Sequence, residues 1–269
     1  FCQGHWSEQG GRRQWQATGA ERLDELQRLT RPLVLHRRKQ DCLDLPPKHR
    51  RMLPVELSEL QALAFERELT HKLDDYRQRA ARGEVRRDAE HLAMLTALRR
   101  IGAQHKLPAA IQLVEALLRE GKAVVLFTAF VASAEQLQAR LGGALLTGRL
   151  KAAERQAQVD RFQAGATACL VATFGAGGLG FTLHRASHVV LVERPWTPGD
   201  AEQAEDRCHR IGMAGPLTSH WLQLGVADQL VDGIIASKAE RIMLLLEGRQ
   251  TALRRQALPA MVRQLIERW

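Results

Sequence analysis

Gln203, Arg207 and Arg210 follow one another at i, i+4 and i+7. On an α-helix that spacing sets one amide and two guanidiniums on a single face. A guanidinium is always charged and offers a fixed fork of donors, so two side by side suit a polyanion such as a chain of phosphates. Asp200 stands three residues before Gln203, the pattern of a capping box, so a helix begun at Asp200 is expected to carry all three. Upstream lies a glycine loop, Gly175-Ala176-Gly177-Gly178-Leu179-Gly180, between apolar runs at 168–172 and 188–193. Both runs are bounded by turn signals and read as buried strands. A helix that begins seven residues after the second strand should hold its arginines at the carboxyl edge of the sheet, where open α/β sheets present ligands.

The glycine loop has a competing reading. GAGGLG fits G-x-G-x-x-G, and Glu193 closes the next strand where a ribose-binding acid would stand. A dinucleotide fold also needs a full helix between loop and strand. Residues 181–187 supply roughly two turns at most, which disfavours it.

The elements that must position these residues are legible in order. Residues 1–20 are polar and glycine-rich and read as a loop; 21–29 reads as a helix. Pro46-Pro47 forces extended chain and marks a boundary. A strand at 51–57 follows. Ser58 and Gln61 form a capping box for a helix to about Arg82, and Gly83 breaks it. Residues 88–103 read as a second helix and 109–120, after Pro108, as a third. From there the chain alternates: strand 123–127, helix 131–141, strand 144–146, helix 151–162, the two strands around the glycine loop, strand 217–224 and helix 227–246. Such alternation implies a mostly parallel sheet wrapped by helices. Residues 251–268 read as a basic amphipathic packing helix.

Composition narrows the partners. The 269 residues carry a net charge of +9, which favours nucleic acid weakly, since net charge governs association and not fold. Aromatic residues are 5% of the chain, too few for a single-strand binder built on base stacking. Cys2, Cys42, Cys169 and Cys208 stand singly, with no metal-ligand spacing, so no metal site and a reducing compartment are expected. Without an apolar run near 18 residues no membrane contact is expected, and a cytoplasmic protein, nucleoid-associated if bacterial, is the expectation. The start at Phe-Cys-Gln, without Met, suggests a piece of a longer chain.

AGGLGFTL, a strand, then PWTPGDAEQAEDRCHRIG resembles motifs V and VI of the SWI/SNF-type, helicase-like ATPases that translocate on double-stranded DNA. Met213 stands where the family usually has Gln. Arg37-Arg38-Lys39, followed by Leu45-Pro46-Pro47-Lys48, is similar to the family's inter-lobe linker, and Thr128-Ala129-Phe130 resembles the end of motif IV. The resemblance implies an α/β fold with a RecA-like, mostly parallel sheet, an N-terminal linker and a helical insertion. It divides the chain into the end of a first ATPase lobe and linker (1–48), the start of a second lobe with its insertion (49–107), the RecA-like second lobe (108–247) and a tail helix (248–269). It implies that Arg207 and Arg210 act as arginine fingers, that Gln203, Gly178 and Gly180 approach the nucleotide, and that Thr128, Thr173 and Trp196 lie near DNA. The implied partners are double-stranded DNA, met through its phosphates and so without sequence preference, and the first lobe of the same protein. The alternative is a non-catalytic DNA- or partner-binding module that kept the lobe fold.

Phosphoryl transfer needs a phosphate cradle, a metal and a positioned water. This sequence contains no G-x-x-x-x-G-K-[ST] run; Gly121-Lys122 is followed by Ala123. It contains no acidic metal motif at a strand end. ATP and Mg²⁺ are therefore expected only in the intact enzyme, and neither is expected to be bound by this stretch alone. The isolated chain should release no phosphate from ATP above blank with duplex DNA present; measurable turnover would overturn the half-site reading.

Overall fold

The computed structural model describes residues 2–9, 12–83, 88–177 and 180–247. Its centre is a six-stranded, all-parallel sheet: β3 (Lys48–Pro54), β4 (Val124–Thr128), β5 (Ala144–Leu146), β6 (Cys169–Thr173), β7 (His188–Leu191) and β8 (Leu217–Gln223), in the order β3-β8-β7-β4-β6-β5. A parallel sheet is covered on both faces, so its strands read as continuous apolar runs. Successive residues nevertheless serve opposite layers. Val125, Phe127, Leu170, Ala172, Val189 and Leu191 enter one core, with Val159 and Phe162 of α6 (Ala152–Gln163) and with Ala201 and Ala204 of α8 (Pro198–Asp206). Val124, Leu126, Cys169, Val171 and Val190 enter the other, with Ala134 and Leu137 of α5 (Val131–Leu141) and Ala110, Val114 and Leu117 of α4 (Asp88–Arg119). A third cluster joins Phe65, Leu69, Leu73 and Tyr76 of α3 (Glu59–Ala81) to Met94 and Leu98 of α4.

Several sequence expectations change. Residues 2–20 form an antiparallel hairpin, β1 (Cys2–Gln9) with β2 (Arg12–Ala20), Trp6 facing Trp15 in register, and not a loop. The adjacent Gly10-Gly11 pair was the hairpin signal in the sequence. The helices expected on either side of Pro108 are one helix, α4, with that proline inside it. Proline costs a helix one N–H and crowds the preceding turn, yet Leu107 and Ala110 are buried under the sheet and Leu98 against α3, so packing on both sides overrides the local preference. The capping box is present: Gln61 N–H donates to Ser58 Oγ, and Ser58 N–H donates to the Gln61 side chain. The remaining helices are α1 (Leu23–Thr30), the single turn α2 (Lys39–Cys42), the single turn α7 (Phe174–Gly177) and α9 (Gly225–Glu247). The expected tail helix at 251–268 lies outside the described residues. No described helix is long and apolar enough to cross a membrane.

One ion pair sits wholly inside. Lys106 of α4, 0% exposed, donates to Asp228 of α9 at 2.8 Å, and Asp228 also accepts from Leu224 N–H at 2.7 Å. Removing one partner of such a pair leaves a buried charge uncompensated and costs about 3–5 kcal/mol. Lys106→Met should lower stability by that amount in denaturant unfolding, and adding Asp228→Asn should recover part of the loss. An unchanged midpoint for Lys106→Met would show that the pair does not hold α4 to α9.

Candidate functional site

Thr197 begins α8, not Asp200. Its backbone is extended, its hydroxyl oxygen accepts from Asp200 N–H at 3.2 Å, and Pro198 fills the first turn, where a missing N–H costs nothing. The helix also ends sooner than its spacing suggests. Arg207 keeps helical dihedrals, φ −67° and ψ −32°, and stays one turn beyond Gln203. Its carbonyl, which a continuing helix would give to residue 211, accepts instead from Leu183 N–H at 2.7 Å. Arg210 therefore lies past the helix, in a turn closed by Gly212 at φ +99°. The three residues do not share a helix face, but they still line one cleft.

The position of that cleft differs from expectation. α8 leaves the carboxyl end of β7 and returns along the sheet, so residues 207–210 reach its amino edge. Arg207 O meets Leu183 and Arg210 Nη1 donates to Thr182 Oγ1 at 2.8 Å, both before the start of β7. His209 Nε2 bonds Pro46 O at 2.7 Å, just before the start of β3. A crossover helix runs antiparallel to its strands, so residues at its end cannot share the edge at which it begins.

The cleft has a volume of about 600 Å³ and is lined by Lys39, Leu43, Thr182, Gln203, Asp206, Arg207, Arg210 and Ile211. Burial lowers the pKa of Arg207, and the neighbouring Arg210 charge lowers it further, against Asp206. Two cations brought together beside an amide have the chemistry to receive a multiply charged anion. Gly180, at φ +85° with open space where a Cβ would stand, lies in the loop that leads to Thr182. Gly178 lies outside the described residues. Lys39, Thr182 and Asp206 were not among the candidate site residues; their signal, a lysine in the linker and a threonine beside the glycines, points nowhere without the fold.

Glu205 holds this segment in place. It has no exposed side-chain surface, yet Arg50 grips it with Nε at 2.8 Å and Nη2 at 2.6 Å, Ser219 Oγ donates at 2.8 Å, Trp221 Nε1 at 3.0 Å, and Lys48 Nζ stands 3.2 Å away. Burial alone would raise its pKa. Arg50, then Lys48 and Ser219, outweigh that and hold the carboxyl below the usual range.

Thr128, Thr173 and Trp196 gather at the opposite, carboxyl edge. Thr128 and Thr173 are register partners at the ends of β4 and β6. The Thr128 hydroxyl, fully buried, donates to Glu193 Oε2 at 2.8 Å, and Ala129 N–H donates to the same oxygen at 2.8 Å. Trp196 is half-buried beneath the Arg99 guanidinium, 4.3 Å from its ring centre. β6 and β7, the strands around the glycine loop, are separated by β4, and only the turn α7 is helical among the described residues between them. The adjacent βαβ unit of a dinucleotide fold is absent there.

A parallel sheet with helices on both faces is the frame of a RecA-like lobe. Residues 1–107 match the SNF2-related domain and residues 105–212 the helicase conserved C-terminal domain. The chain belongs to the SNF2-related, helicase-like ATPase family. It is 29% identical over 264 residues to the DNA annealing helicase and endonuclease ZRANB3 of Mus musculus, covering 94% of this chain and 24% of that protein. It is also 29% identical over 234 residues to SWI/SNF-related matrix-associated actin-dependent regulator of chromatin subfamily A-like protein 1 of Xenopus tropicalis, covering 83% of this chain and 24% of that protein. The chain thus spans about a quarter of the length of these relatives. In fold it resembles the C-terminal part of the Fun30 ATPase domain, with TM-score 0.58 and 17% identity over 84% of this chain and 97% of that one. It likewise resembles the Sulfolobus solfataricus SWI2/SNF2 ATPase core in complex with dsDNA, with TM-score 0.57 and 22% identity over 82% of this chain and 52% of that one.

The depressed Glu205 pKa sets a pH dependence. A carboxylate with a lowered native pKa contributes stability above its unfolded value, about 4.3, and loses it as pH falls through the native value. Glu205→Gln should therefore melt lower than the parent at pH 7, by the equivalent of about 1.5–3 kcal/mol for the lost charge-assisted bonds. The gap should close below about pH 4. A gap that stays constant from neutral to strongly acid pH would show that the carboxylate charge is not what is being lost.

Proposed function

We propose that this chain is the second motor lobe of an ATP-dependent, double-stranded DNA translocase or remodelling ATPase. The observation that carries the reading is the convergence of Arg207, Arg210 and Gln203 on one cleft of about 600 Å³. The donor set fits the phosphate end of a nucleotide. It does not fit Mg²⁺, because the one carboxylate of the lining, Asp206, is occupied by Lys39 at 3.1 Å and Lys48 at 3.3 Å. Bound ATP would supply the phosphoryl group whose transfer drives the motor, and the first lobe of the intact protein would hold most of it together with the metal.

Within this lobe each residue has a part. Arg207 and Arg210 stabilise charge that develops during transfer, a role that contributes about 10³–10⁵ in rate where it has been measured in other nucleotide hydrolases. Gln203 donates to or accepts from the same group, and Gly180 and Gly178 let the backbone come close. At the other edge, Thr173 and Trp196 face DNA phosphate. Thr128, buried on Glu193, serves that contact by fixing the turn at Ala129 and Phe130. The printed names of the relatives, a DNA annealing helicase and a regulator of chromatin, support a DNA substrate. A non-catalytic DNA- or partner-binding module remains the second reading, and the same experiment separates the two.

In the intact, two-lobed protein, Arg207→Ala and Arg210→Ala should each lower DNA-stimulated ATP turnover by orders of magnitude. The melting temperature should move little, and apparent ATP affinity should weaken only several-fold, because the charge is needed chiefly in the transition state. Arg→Lys should not restore activity, since an ammonium lacks the bidentate fork. Near-normal turnover per folded molecule with a lowered melt would assign the arginines a bracing role, whereas absence of DNA-stimulated turnover in the intact parent would favour the non-catalytic module.

A further inference from the structure

Arg207 is flanked by two groups that a single distant ammonium holds. Lys39 Nζ pairs with Asp206 Oδ1 at 3.1 Å on one side of Arg207, and donates to the backbone carbonyl of His209 on the other. The pair is half-buried, with side-chain exposures of 30% and 36%, so it is not one of the fully solvated surface bridges that contribute little. Three further contacts follow the same seam. His209 Nε2 bonds Pro46 O at 2.7 Å; since a carbonyl only accepts, that nitrogen carries the hydrogen. Lys48 reaches Asp206 at 3.3 Å, and Leu217 N–H donates to Pro47 O at 3.0 Å. Residues 39–48 therefore run as a strap along residues 205–210. Of the neighbouring basic residues, Arg38 pairs with Asp41 inside the strap at 2.8 Å, while Lys39 reaches the cleft wall.

Resting on the reading of Arg207 given above, we propose that Lys39 is a positioning residue. By bridging Asp206 and the His209 carbonyl it fixes the backbone on both sides of Arg207, so that docking of the strap decides whether the guanidinium points into the cleft. The strap is the segment that precedes β3. Displacement of the strap, as when the chain before it moves, would then release the arginine from its working direction. The site is thereby regulated through its own linker.

The test uses the intact two-lobed protein, with ATP and duplex DNA as probes, and compares Lys39→Met, Lys39→Arg, Asp206→Asn, Arg207→Ala and the double variant Lys39→Met/Arg207→Ala. Misplacing a catalytic group by about an ångström can cost about 100-fold in rate. Lys39→Met should accordingly lower kcat by roughly 10–100-fold with KM for ATP little changed. Lys39→Arg should regain part of the loss, because a guanidinium can also reach both oxygens. In the double variant the lysine change should add nothing to Arg207→Ala, since it acts through that residue. Multiplicative losses would overturn the proposal and make Lys39 an independent contact. If Lys39→Met melts low, Asp206→Asn cuts the same bridge from its other end: a lowered kcat supports the proposal and a normal kcat overturns it. A loss in Arg207→Ala with none in Lys39→Met sinks only the positioning role, whereas normal turnover in Arg207→Ala sinks the arginine reading itself.

Discussion

A carboxylate with no exposed surface ties together the parts of this lobe that come from far apart in the chain. Placing the Glu205 charge inside a protein costs several kcal/mol unless its lone pairs are filled. Here two nitrogens of Arg50, the Ser219 hydroxyl and the Trp221 indole fill them, with the Lys48 ammonium beside them. The donors lie on β3 and β8, and the acceptor on α8. β3 is an edge strand that pairs only with β8, so the grip of Arg50 and Lys48 on Glu205 adds a second attachment for it. The same grip fixes the end of α8, from which the arginine segment emerges. Edge strand and arginine segment are thus tied together, and the contacts of Lys39 and His209 attach residues 39–46 to them beside the cleft.

The sheet places two kinds of group at opposite edges. Arg207 and Arg210 stand at the amino edge, and Thr128, Thr173 and Trp196 at the carboxyl edge, a strand length of about 16 Å away. Buried polar contacts support the carboxyl edge. Glu193 is wholly enclosed and its pKa is raised by burial, an effect that Lys106, Ala129 N–H, Thr128 and Arg99 only partly oppose. Arg99 also donates to the Arg194 carbonyl and covers Trp196. Arg99 and Lys106 both come from α4, whose earlier half packs on α3. The α3–α4 pair therefore shapes the edge proposed to meet DNA, while residues 39–48 shape the edge proposed to meet nucleotide. The α8 crossover joins the two edges.

Much of the architecture could be read from local pattern. The strands β4, β6 and β7 are short apolar runs between turn signals, and burial on both faces is why they alternate so little. The Ser58–Gln61 box places the start of α3 because both of its bonds are local. The hairpin at 2–20 reads as a loop in the sequence despite its Gly-Gly pair, because the flanking segments are polar and lack an apolar alternation. Pro108 reads as a boundary because its effect on a lone helix is disruptive; the burial of Leu107 and Ala110 that holds α4 together is a long-range fact.

The site divides in the same way. The residue types of Gln203, Arg207 and Arg210 marked this segment as suited to an anion, since fixed charge and hydrogen-bonding capacity belong to side chains wherever they lie. The motif spelling from 195 to 212 determined the family. Only the tertiary structure decided where α8 stops, because the Arg207 carbonyl is taken by Leu183 N–H, a partner 24 positions away in sequence by the numbering (207 − 183). Only it decided that the arginines face the amino edge, because a crossover helix reverses the chain direction. It alone brought Lys39 within 3.1 Å of Asp206, since a contact between residues this far apart in the chain depends on how every element between them packs.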